Sequence, residues 1–69
     1  MTATAKQLAV LVFIREFQEV RGKWPTHAEI GKHFGRSLST VAQHLAALES
    51  KGLIVRHPGE SRNMEIPDA

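Results

Sequence analysis

The stretch that decides the fold is Gly35-Arg36-Ser37-Leu38-Ser39-Thr40-Val41-Ala42-Gln43-His44-Leu45-Ala46-Ala47-Leu48-Glu49-Ser50-Lys51-Gly52-Leu53-Ile54-Val55. Gly35 permits a tight turn, and a helix opens near Ser37 or Leu38, running over about 38–51. Val41, Leu45 and Leu48 lie within about 60° of one another and form one apolar stripe. Ser39, Gln43, Ala46 and Ser50 occupy the opposite side. A merely solvated face more often carries Lys and Glu, which are better helix formers. Small polar residues instead let a helix approach another surface closely. Gly52 ends the helix, and Leu53 to His57 reads as a strand with β-branched Ile54 and Val55 at its centre. A small-faced helix after a glycine turn is what entry into a DNA major groove requires.

Upstream, a first helix spans about 4–20, capped by Thr2 or Thr4 and free of Gly and Pro inside. Its helical period places Leu8, Val10, Leu11 and Ile14 on a broad core face, with Phe17 at the edge. Gly22 ends it. Trp24-Pro25 is an extended link, because the residue before proline avoids the helical region, and Trp24 packs over the junction. A second helix covers about 27–34, with Thr26 as N-cap and Glu29 completing a capping box. Ile30 and Phe34 give it an apolar side, but two turns do not hold alone in water, so packing must hold them. Downstream, Pro58-Gly59 is a turn pair, and Arg62 to Ile66 is the returning strand, with Met64 and Ile66 pointing inward. The wing hairpin therefore covers about 53–66. The whole is mainly α with a small β-hairpin, one domain over 1–69.

Sixty-nine residues bury only about 60% of their unfolded surface. That leaves no room for a deep catalytic cleft beside a supporting core, and the expectation is not an enzyme. No cysteine is present, which removes disulfides and thiolate metal sites and fits a cytoplasmic location. No signal-like segment opens the chain. The longest apolar run, Leu8 to Ile14, falls far short of the roughly 20 residues of a membrane span, so no membrane partner is expected. The net charge of +2 leans toward a polyanion partner, and Lys32, Arg36, Lys51, Arg56 and Arg62 all sit around the turn, helix end and wing.

The order helix, helix, turn, helix, hairpin resembles the winged helix-turn-helix DNA-binding domain of LexA-type SOS repressors. Lys6-Gln7-Leu8, Pro25-Thr26-His27-Ala28-Glu29-Ile30-Gly31, Ser39-Thr40-Val41 with His44-Leu45, and Leu48-Glu49-Ser50-Lys51-Gly52-Leu53-Ile54 carry the resemblance, which covers Thr4 to Ile66. It implies sequence-specific double-stranded DNA binding and transcriptional repression. The chain departs from the family pattern in three ways. The turn between Gly35 and Val41 is one residue shorter. Val12 stands where the family presents a polar residue. The Ser-Lys self-cleaving domain, which carries the dimer interface, has no counterpart here. A fragment and a free-standing domain are both open readings, and Pro67-Asp68-Ala69 serves either as a linker start or as an end.

Base contacts fall to Ser39, Thr40 and Gln43. Gln pairs bidentately with adenine, Ser with several bases, and the Thr methyl meets thymine. The plainer reading makes Ser37 and Ser39 helix caps and leaves Gln43 solvated. Phosphate or wing contacts fall to Lys32, Arg36, Ser37, Lys51, Arg56, His57 and Arg62. Helix one is apolar almost all round, which leaves two readings of Phe13. Either it packs under the hairpin, or Val12 and Phe13 form a partner surface for a second copy or another protein. The corresponding rival function is a winged-helix protein-interaction module, such as a phage or plasmid accessory protein that modulates a host regulator or polymerase. His27, His33, His44 and His57 lack metal-ligand spacing, and no catalytic constellation, cofactor motif or small-molecule substrate is evident.

Overall fold

The computed structural model describes residues 3–57, 59, 62 and 64–67. Thr2, Pro58, Asp68 and Ala69, each given a role above, lie outside the described residues. Three helices, α1 (Ala5–Arg21), α2 (His27–Phe34) and α3 (Leu38–Ser50), precede a two-stranded antiparallel ribbon of β1 (Val55–Arg56) and β2 (Met64–Glu65). The ribbon pairs Val55 with Glu65 and Arg56 with Met64. This is the mainly helical architecture with a small hairpin expected of a winged helix-turn-helix.

Each helix start is set by a side chain that satisfies the free N–H groups of the first turn. Thr4 and Gln7 form a reciprocal capping box on α1, as Thr26 and Glu29 do on α2. Ser37 caps α3: the Thr40 N–H donates to its Oγ at 3.2 Å, and that Oγ donates to Thr40 Oγ1 at 3.1 Å. The end of α3 is a Schellman motif. The Leu53 N–H donates to the Leu48 carbonyl and the Gly52 N–H to the Glu49 carbonyl, both at 3.0 Å. Gly52 has φ +74, a left-handed conformation that other residues rarely adopt.

One core draws on the three helices, β2 and the residues that flank the ribbon: Val10 and Ile14 of α1, Ile30 of α2, Val41, Leu45 and Leu48 of α3, Met64 of β2, and the flanking Ile54 and Ile66. Leu8 departs from its expected place in that core and is 43% exposed. The buried line of α1 centres on Val10 and Ile14, which puts Phe13 and Phe17 on its inner flank and rolls Leu8 outward. Phe13 packs on α2 rather than under the hairpin. Its ring stacks on His33 at 4.2 Å between centroids and meets the Phe34 edge at 5.6 Å. The strands are shorter than their sequence pattern suggests. Leu53 completes the Schellman motif, Ile54 is committed to the core, and the Arg62 side chain turns back toward α2.

The turn of the helix-turn-helix is Gly35-Arg36-Ser37. Gly35 has φ +66, and the Arg36 N–H donates to the Gly31 carbonyl at 2.9 Å, folding the turn back over α2. A Cβ on Gly31 would lie 2.8 Å from the Arg36 carbonyl oxygen, so the close approach needs glycine at 31. Gly31→Ala would gain about 1 kcal/mol of helix propensity and lose about 2–3 kcal/mol to the clash, the upper part of the usual overpacking cost, because the atom met is backbone. The expected result is a net destabilisation of about 1–2 kcal/mol, read as a lower urea midpoint with unchanged slope. A variant as stable as the parent would remove this account of the turn.

Candidate nucleic-acid interface

Ser39, Gln43, Ala46 and Ser50 are all exposed on α3, opposite the buried Val41, Leu45 and Leu48. The face is small, uncharged and flat enough for another surface to come close. Thr40 is half-buried at its margin, with its hydroxyl engaged by Ser37. Ser37 is a cap, as the plainer reading had it, but Ser39 is not: it lies one residue inside the helix with its side chain exposed. The three expected base-contacting residues thus sit on the same end of one helix, with Ser39 and Gln43 the more accessible.

Lys32 on α2 and Arg36 in the turn are exposed and hydrogen-bond to no other side chain among the described residues. Both lie ahead of the start of α3. The other expected cations have fold-related partners. Lys51 Nζ donates to Gln7 Oε1 at 2.6 Å, and the same oxygen accepts from the Thr4 N–H at 3.1 Å. The end of α3 is thereby tied to the start of α1. His57 pairs with Glu65 across the ribbon. Arg56 is half-buried on β1.

Arg62 has the most engaged head group. Nη1 donates to Glu29 Oε1 at 2.7 Å and to the Trp24 carbonyl at 2.8 Å, while Nη2 faces Glu29 Oε2 at 3.4 Å. The wing is thus clamped to the α1–α2 link and to the first turn of α2. Glu29 Oε1 also accepts from the Thr26 N–H at 2.8 Å. The Arg62 hydrogen bonds, followed by the Thr26 N–H, hold the Glu29 carboxyl at about 2 instead of 4.5. His27, next to the cap, is pushed below 6.5, first by burial and then by the Arg56 cation. Its Nε2 is buried without a partner among the described residues.

Several of these roles were not anticipated from sequence. Gln7 has a visible signal, since Thr4-x-x-Gln7 is capping-box spacing. The Arg62–Glu29 clamp and the Phe13–His33 stack join residues far apart in sequence and carry no local signal. Val12, one half of the expected partner surface, is 54% exposed, whereas Phe13 is covered by α2 as described.

Three helices, a three-residue turn, an exposed small-faced third helix and a clamped ribbon define the winged helix-turn-helix class. Comparison with known proteins places the chain within that class. Residues 1–63 match the LexA DNA binding domain, and the chain belongs to that family. It is 43% identical to a LexA repressor of Marinobacter nauticus over all of its length and 35% of that protein's. It is 47% identical to a LexA repressor of Bacillus pumilus over 99% of its length and 34% of that protein's. Against the Enterococcus faecalis LexA repressor the identity is 50% over 88% of the chain and 30% of that protein. The chain therefore spans about a third of the length of the curated relatives it matches.

The two depressed pKa values act in the same direction. Below 6.5 the unfolded chain protonates His27 more readily than the folded one. Between 4.5 and about 2 it takes up a proton on Glu29 that the folded chain refuses. Stability is therefore full above 6.5 and falls as pH drops through the two windows. Urea denaturation at a series of pH values should show both losses. Glu29→Gln should flatten the acid limb while lowering stability at neutral pH. An unchanged acid limb in that variant would contradict the clamp.

Proposed function

We propose that this chain binds duplex DNA sequence-selectively through α3 and represses transcription by occupying its site. The observation that carries this reading is the exposed, small, uncharged face of α3, set directly after a turn that presents Arg36. Family membership supports it, because the relatives at 43–50% identity are named repressors. A regulator of this kind performs no reaction, and its output is site occupancy.

In this reading Gln43 makes the main base contact, through its two-atom amide fork, and Ser39 reads a neighbouring base edge. Thr40 offers its methyl to thymine, since its hydroxyl is already paired with Ser37. The first turn of α3, capped by Ser37, meets a phosphate through its remaining N–H groups. Lys32 and Arg36 hold the flanking backbone, and Lys51 anchors the far end of the helix while keeping its bond to Gln7. Arg56 supplies the wing contact. His57 and Arg62 act through the wing, the first by its pair with Glu65 and the second by fixing the hairpin on α2. A single small module gains useful specificity by pairing on two half-sites, which calls for a second copy or a tethered one.

Selection from a randomised duplex pool gives the site, and titration against scrambled DNA gives the discrimination. Gln43→Ala should cost about 1–3 kcal/mol on the selected site and relax one position, leaving scrambled DNA almost unaffected. Arg36→Ala should weaken both duplexes alike and lower the slope of log affinity against log salt by about 1. A pool without enrichment, or equal loss from Gln43→Ala on both duplexes, would overturn the reading.

A further inference from the structure

The junction of α1, α2 and α3 holds a cavity of about 110 Å³ that opens to the surface. Ala9 and Phe34 give it an accessible apolar wall backed by the buried Val10, Ile30 and Val41, His44 lines it as well, and Lys6 and Arg36 stand at its exposed rim. Both cations are exposed and hydrogen-bond to no side chain among the described residues. No carboxylate is among the lining residues. An apolar hollow with a few convergent polar groups is the usual form of a small-molecule site. The sign of the rim specifies an anion, and the volume limits the apolar part to a body of about four or five carbons, since a larger cavity of about 150 Å³ accepts benzene.

We propose that this cleft takes a small amphipathic carboxylate, whose apolar body lies on Ala9 and Phe34 and whose carboxylate pairs with Lys6 and Arg36. Arg36 then has two competing anions. A carboxylate held from inside the cleft occupies the guanidinium that the proposed function assigns to a DNA phosphate, so the ligand lowers DNA affinity. By linkage, DNA lowers affinity for the ligand to the same extent. The effect on DNA rests on the proposed DNA-binding role of Arg36, whereas the binding of the carboxylate does not.

The test uses the full chain with hexanoate as the probe and hexanamide as its uncharged equal in shape. Amide spectra of the labelled protein, recorded without DNA, should show saturable shifts with hexanoate concentrated at Ala9, Phe34, Val41 and His44. Affinity in the millimolar range is expected, and hexanamide should bind about tenfold more weakly. Ala9→Phe places a ring at the mouth of the cleft from an exposed helix position and leaves both cations intact, so it should abolish the saturable shifts. Lys6→Gln should weaken hexanoate about threefold and leave hexanamide unchanged, the remaining preference for the carboxylate being carried by Arg36. Non-saturating shifts spread over all basic residues, equal affinity for hexanamide, or unchanged binding in Ala9→Phe would each overturn the site.

DNA affinity is measured first without hexanoate, so failure of the DNA reading shows separately from failure of the site. At saturating hexanoate and constant ionic strength, the parent chain should lose about threefold to tenfold in DNA affinity. Ala9→Phe should lose none. Saturable hexanoate binding with unaltered DNA affinity, or an equal loss in Ala9→Phe, would overturn the competition.

Discussion

The Glu29 carboxylate is the point on which the separate pieces of this small domain meet. One of its oxygens closes the α2 capping box on the Thr26 N–H and receives Arg62. The same guanidinium reaches the Trp24 carbonyl. A single ionised side chain thus joins the α1–α2 link, the first turn of α2 and the returning arm of the hairpin. An isolated surface ion pair is worth little. This one is partly shielded and shares its atoms with a helix cap, so its loss also leaves backbone groups unpaired. A two-residue-per-strand ribbon has too few ladder bonds to hold itself. Met64 and Ile66 in the core and Arg62 on Glu29 supply what the ladder lacks.

The rigidity of α3 has a similar origin at its two ends. Ser37 caps the start, and the Schellman motif with Lys51 on Gln7 fixes the finish. Between them, Val41, Leu45 and Leu48 are fully committed to the core, so the outer face contributes almost nothing to stability. That division frees Ser39, Gln43, Ala46 and Ser50 from packing and leaves their identities to be set by what the helix touches. Gly31 completes the arrangement, because the turn can lie close to α2 only where no Cβ intervenes.

Local chemistry made much of this legible beforehand. Caps, glycine stops and the apolar stripe of α3 are written within a few residues of where they act, and Thr26-x-x-Glu29 announced α2 in full. What stayed hidden was what depends on helices finding one another. The face of α1 could be read as broad but not as centred on Val10 and Ile14, because Leu8 is as apolar as Leu11 and only the packing of α2 decides between them. The two readings of Phe13 did not include its stack on His33, because nothing near it in sequence points there. Among the cations, exposure could not be told from engagement. Arg62 and Lys51 look no different from Arg36 in the sequence, yet each of them bonds to a side chain more than thirty residues away.

That distinction among the cations bears on how such a domain can be regulated. A cation already bonded within the fold has a fixed head group, and competing anions must first break that bond. Arg36 carries no such tie among the described residues, so it is free to be claimed by whichever anion is presented in the better geometry. In the proposed function, DNA presents a phosphate from outside, in register with α3. The proposed carboxylate would approach from the cleft, with apolar surface to make up for the smaller number of charges. Placing an untied cation between these two approaches couples them with no change of shape at all, as differential binding requires only that both cannot occupy it at once. Competition of this kind for one side chain needs no rearrangement of the core.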